Sequence, residues 1–182
     1  MISPAQQDVS AAFSAPETAS AEQWADFFHA LHAADAPAGL QRWDDPSSTH
    51  AQQVARVQRE AAVILPAHLP VADLDVVYGI LDRAEHLWTA DCVIVGSADF
   101  TNFSRCAVGN PAADYGVLAY VDPALPEAVA QALGTADLLP DAQAYRHWDA
   151  VRGLIDAVTT HPDTLQIART RFHAAVQEAR QL

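Results

Sequence analysis

From Asp91 to Asp122 the chain reads DCVIVGSADFTNFSRCAVGNPAADYGVLAYVD, and no other stretch constrains the fold as strongly. The segments on either side carry helical periodicity. This one instead alternates short apolar runs with turn formers. Cys92 to Val95 is wholly apolar, as a buried strand would be. Ser104 to Val108 and Gly116 to Val121 supply two further strand-like runs. The links contain Gly96-Ser97-Ala98-Asp99 and Gly109-Asn110-Pro111, which are rich in turn residues. Adjacent strands with short links predict an antiparallel meander of three strands, because parallel pairing needs long crossovers.

The rest of the chain predicts helices. A length of 182 residues suits one domain with a real core. Hydrophobic residues make up 51%, but 38 of them are alanine, so large apolar side chains are scarcer than that figure suggests. Ser20 and Gln23 match a capping box, and Trp24, Phe27, Phe28, Leu31 and Ala34 follow as one apolar stripe. Thr49 and Gln52 repeat the capping pattern ahead of Val54, Val57, Ala61 and Ile64. A third helix is expected over about 73–88, a short one from Pro123 to the C′ glycine Gly134, and a longer one from Asp141. The last starts at Pro162. The two C-terminal helices, joined at His161-Pro162, form an αα-hairpin. Residues 1–19 are small, polar and without periodicity, and are expected to be a flexible arm ahead of a single globular domain over 20–182. The fold class is therefore α+β, predominantly helical, with about six helices and a small three-stranded antiparallel sheet over residues 91–122.

Charge narrows function. The net charge is −13, and all ten cations are arginine. Nucleic-acid binding needs a basic footprint, which is missing, and attraction to anionic membranes is disfavoured for the same reason. A basic protein or peptide partner is compatible with this field. No run reaches the length of a membrane span, and Met1 to Ser20 lacks a basic and an apolar signal region. The expected location is cytoplasmic, where Cys92 and Cys106 would remain thiols.

Candidate chemistry is sparse. His29 and His32 stand three apart with Asp35 after them, which is ligand spacing on a helix. The helical wheel, however, turns His29 away from the apolar stripe. Cys106 follows Arg105, whose charge would favour a thiolate, although successive strand residues face opposite ways. His147 lies beside the apolar face of Tyr145 and Trp148, where burial could tune its pKa. Tyr120 and Asp122 end the strand-like stretch. Asp44-Asp45 and Asp73/Asp75 are carboxylate pairs that fit turn and cap positions. Trp43 and Trp88 suit an interface or the core. No residue pattern identifies a cofactor.

The leading expectation is an acidic, non-catalytic binding protein of the adaptor, inhibitor or immunity type. It would engage a protein or peptide through a free sheet edge, with Trp43, Trp88, Asp44, Asp45, Asp91 and Asp99 at the contact. One alternative is a small enzyme with a pocket between sheet and helices, built from Cys106, His147, Tyr145, Tyr120 and Asp122. The other is a helical metal-binding protein using His29, His32 and Asp35.

Overall fold

The computed structural model describes residues 3–16, 20–89, 92–97, 100 and 102–181. Among these are eight α-helices: α1 (Pro4–Ala12), α2 (Ala21–His32), α3 (Thr49–Ile64), α4 (Val71–Arg83), α5 (Ala112–Leu118), α6 (Leu125–Leu133), α7 (Leu139–Thr159) and α8 (Leu165–Ala179). Two short strands, β1 (Cys92–Ile94) and β2 (Ala107–Gly109), pair antiparallel with Val93 opposite Val108. The chain is predominantly helical with a small sheet, as its periodicity predicts.

The expected third strand, Gly116 to Val121, is instead the end of a helix and the turn that follows it. Pro111 opens α5, and the Asn110 side chain accepts from the Ala112 N–H, so the turn residues start a helix instead of a hairpin. Gly116 is what lets this helix pack where it does. A Cβ there would lie 2.5 Å from the Ala142 carbonyl oxygen, so α5 crosses α7 backbone to backbone. Ala112 and Ala113, one turn earlier, are small and buried as well. The run GVLAYV resembles a strand, but all of α5 is buried, and a fully buried short helix leaves no amphipathic stripe to recognise.

The segment read as an arm also needs correction over residues 4–12. Ser3 and Gln6 form a capping box, Pro4 sits in the first turn, and Ala5 and Val9 are buried against the body. The Gln6 amide reaches across to donate to the Ser104 carbonyl at 2.7 Å. Other ends follow their sequence signals. Ser20 and Gln23 cap α2 reciprocally, and Gly134 ends α6 in the left-handed region at φ 68°. At α3 the cap is Ser48, one residue before the expected Thr49. The helix expected over 73–88 divides into α4 and a 3-10 turn at Glu85–Trp88.

α7 is the central helix. It packs on α5, antiparallel to α8, and against α3 and α4, and it buries Tyr145, Trp148, Val151, Leu154 and Ile155. The sheet is an internal element. Val93, Ile94, Val95, Ala107 and Val108 are all at most 5% exposed. Beyond β2, residues 41–43 pair with it through Trp43 N–H to the Val108 carbonyl and Val108 N–H to the Gln41 carbonyl, both at 2.8 Å. Beyond β1, the N–H groups of Val95 and Gly96 donate to the buried carboxylate of Asp114. No helix among the described residues is long and apolar enough to cross a membrane.

Candidate functional site

Three segments far apart in sequence meet around a cavity of about 370 Å³. The start of α1 contributes Ser3 and Gln6. The loop ahead of α3 and the first turn of that helix contribute Gln41, Trp43, Thr49, His50 and Gln53. The approach to β2 contributes Ser104, Arg105, Cys106 and Ala107, with Gly39 and Gly96 completing the wall. The lining is half polar amide, hydroxyl and guanidinium, and half aromatic ring and small side chains.

Trp43 forms one wall. Its indole is 3% exposed and stacks on His50 at 3.9 Å and on Tyr145 at 5.5 Å, each within 10° of parallel. Trp88 and Trp148 meet edge-on at 4.8 Å beside the same rings. β2 runs tight beneath the indole. A Cβ on Gly109 would come within 2.7 Å of it, which is why that strand position has no side chain. The stack packs one face of His50 and leaves the ring only partly exposed. Burial, followed by the charges of Arg105 and Arg152, pushes its imidazole down to about 3, so the ring is neutral. Its Nε2 is buried without a hydrogen-bond partner among the described residues, and so is the Tyr145 hydroxyl.

Arg105 is the cation of the cavity. Its Nη2 donates to Gln53 Oε1 at 3.3 Å, and it has no ion pair among the described residues. The neighbouring charges are otherwise matched. Asp149 accepts from Nε and Nη2 of Arg152, whose Nη1 donates to Asp156, which also accepts from Arg56. Burial works to raise the Asp149 pKa, but the charges of Arg152 and Arg105 outweigh it and hold the carboxyl below its ordinary value.

Cys106 lines the cavity at 1% exposure. Burial, reinforced by the charge of Asp114, pushes its thiol up to about 12, opposite to the activation that a neighbouring arginine suggested. His147 lies elsewhere. It is buried, its Nε2 is 3.0 Å from Glu178 Oε2, and desolvation lowers its pKa despite that carboxylate. Tyr120 donates to the Arg146 carbonyl, with Arg171 over its ring at 4.0 Å, and Asp122 accepts from Ala124 in an exposed turn. The five candidates for acid–base and nucleophilic work are therefore not gathered. Only Cys106 lines the cavity, and Tyr145 approaches it only through the Trp43 stack.

The histidine pair separates as well. His29 is exposed, as its place on the wheel predicts, and Asp35 is exposed beyond the end of α2. His32 turns inward, with its Nε2 3.0 Å from Asp114. Among the described residues no group of three histidine, cysteine or acidic side chains could hold a metal ion. Of the expected contact residues, Trp43 is core, Trp88 is partly buried, Asp44 pairs with Arg42, and Asp45 accepts from Ser47. Asp91 and Asp99 lie outside the described residues.

His50, Gln53 and Gln41 were not legible as site residues, because no motif links them and only the fold brings them to Arg105. The one local signal was a polar Ser-Arg between apolar runs, at 104–105. Compared with family models, curated proteins and solved structures, the chain matches none.

Proposed function

We propose that this chain is a non-catalytic binding protein whose ligand is a small organic molecule held in the cavity between α1, the start of α3 and the approach to β2. The observation that carries this reading is the convergence itself. A concave space of about 370 Å³ has one aromatic wall and several polar side chains from separate segments turned toward one volume. Ligand sites commonly occupy about 300–1,000 Å³ and combine apolar walls with a few placed polar groups. A binding role is favoured over a catalytic one because the described residues of the cavity hold no activated pair. The Cys106 thiol stays protonated near neutral pH, and the imidazole beside the cavity is too weak a base to take a proton from it.

Engagement of a peptide along the sheet edge has less support. One edge of the sheet is paired with residues 41–43, and just past the end of β1 the N–H groups of Val95 and Gly96 are bound to Asp114. The exposed acids Asp44 and Asp45 remain available to a basic surface, but both are engaged within their own turn.

Thermal-shift screening of a metabolite library tests the proposal, with Ser104→Trp as the control that fills the cavity mouth from an exposed position. A ligand at a hundredfold excess over its Kd should raise the Tm by about 5–10 °C. That shift should vanish in Ser104→Trp. Hits that shift both proteins equally, or no hits at all, would remove the cavity as the site.

A further inference from the structure

Resting on the cavity as the binding site, we infer that its ligand is a carboxylate, whose anionic end pairs with Arg105 while its body fills the rest of the cavity. Arg105 is the one cation lining the cavity among the described residues, and no described lining residue is acidic. A guanidinium offers five N–H donors in a planar fork, and among the described residues one of them is used, on the neutral oxygen of Gln53. That hydrogen bond aims the group without cancelling its charge. The fork matches the two oxygens of a carboxylate in a two-bond pairing.

The surroundings favour an anion of low charge. Asp149 is the buried acid whose charge Arg105 feels, but its hydrogen bonds go to Arg152, so it does not occupy the fork. Thr49 and His50 stand in the first turn of the sixteen-residue α3, whose dipole also favours negative charge at this end. With a single cation and otherwise neutral donors, one negative charge is matched. A phosphate dianion would remain under-compensated inside a protein of net charge −13. The carboxylate could belong to a free small acid or to the C-terminus of a peptide. The chemistry at Arg105 is the same, and the cavity's extent decides how much chain can follow.

The test titrates the full-length protein with benzoate, indole-3-acetate, an N-acetylated dipeptide acid, the three corresponding amides, and inorganic phosphate. At least one carboxylate should bind ten times or more tightly than its amide, and more weakly as salt rises. Arg105→Gln should erase that acid-over-amide preference with circular dichroism unchanged. Gln53→Leu, which keeps the charge but frees the guanidinium, should weaken carboxylate binding about fivefold. The small acids and the dipeptide acid distinguish the two sources of the group. Equal affinity for acids and amides, or binding of phosphate alone, would overturn the carboxylate assignment while leaving the cavity a binding site. Acid preference that survives Arg105→Gln would also overturn it. Failure of every probe, together with an empty library screen, would overturn the assignment and the binding-site reading beneath it.

Discussion

Two polar clusters stand close together in this molecule and are built on opposite plans. Along α7 and α3, Asp149, Arg152, Asp156, Arg56 and Glu60 form a continuous chain of ion pairs in which each charge has a charged partner. Around and behind the cavity, among the described residues, Arg105 has only a neutral amide, and the His50 Nε2 and the Tyr145 hydroxyl have none. Burying polar groups is costly unless they are satisfied, so complete pairing is what a structural cluster requires. The incomplete cluster gains little stability from its own contacts. The difference separates side chains that hold α3 to α7 from side chains left with capacity to spare.

Breaking the paired cluster should have the largest effect. Arg152→Met leaves Asp149 buried without its cation and should lower stability by about 3–5 kcal/mol in urea denaturation. The double change Asp149→Leu with Arg152→Met should recover most of that loss, since an apolar pair leaves no orphaned charge. Equal losses in the single and double variants would remove the distinction between the clusters.

Acid should act on the other cluster. The unfolded chain protonates residue 50 near pH 6.5, whereas the folded protein does so only near pH 3. Between these values the unfolded state holds the extra proton. Stability is therefore highest above pH 6.5 and falls as the pH drops through this window, by up to about 1.4 kcal/mol per pH unit from this group. His50→Phe should flatten that limb of a stability-versus-pH curve while keeping a ring on Trp43. An unchanged limb would show that the imidazole is not held neutral.

Gln6→Ala should cost about 1 kcal/mol, because it removes the hydrogen bonds from α1 to the Ser104 and Cys106 carbonyls. Chemical denaturation should show the loss, together with earlier proteolysis near residue 12. The smallest effect is expected from Tyr145→Phe. It deletes a buried hydroxyl that has no partner among the described residues, so stability should stay level or rise by about 1 kcal/mol. A clear loss would mean that this hydroxyl is satisfied in solution and belongs with the paired cluster.

Local chemistry was the part of the fold legible in the sequence. Ser20 with Gln23 announced α2, and Gly134 announced the end of α6, because caps act within one turn. Ser3 with Gln6 carried the same signal, yet its small polar surroundings hid it, since Ala5 and Val9 alone make too narrow a stripe. Gly116 misled for a tertiary reason. Its missing side chain serves an approach to α7 that no local pattern encodes. The candidate site was less legible still. Cys106 could be singled out by its chemistry, but residues 3–6, 41–53 and 104–107 become neighbours only after folding.

The slender attachment of α1 has a consequence in time. A nine-residue helix is too short to persist alone in water, so when α1 leaves the body it also unwinds. Departure removes Ser3 and Gln6 from the wall of the cavity and exposes the hydrogen-bonded amides of residues 6–12 in the same event. The deuterium uptake of those few amides is therefore a clock for the cavity, counting how often its wall comes down.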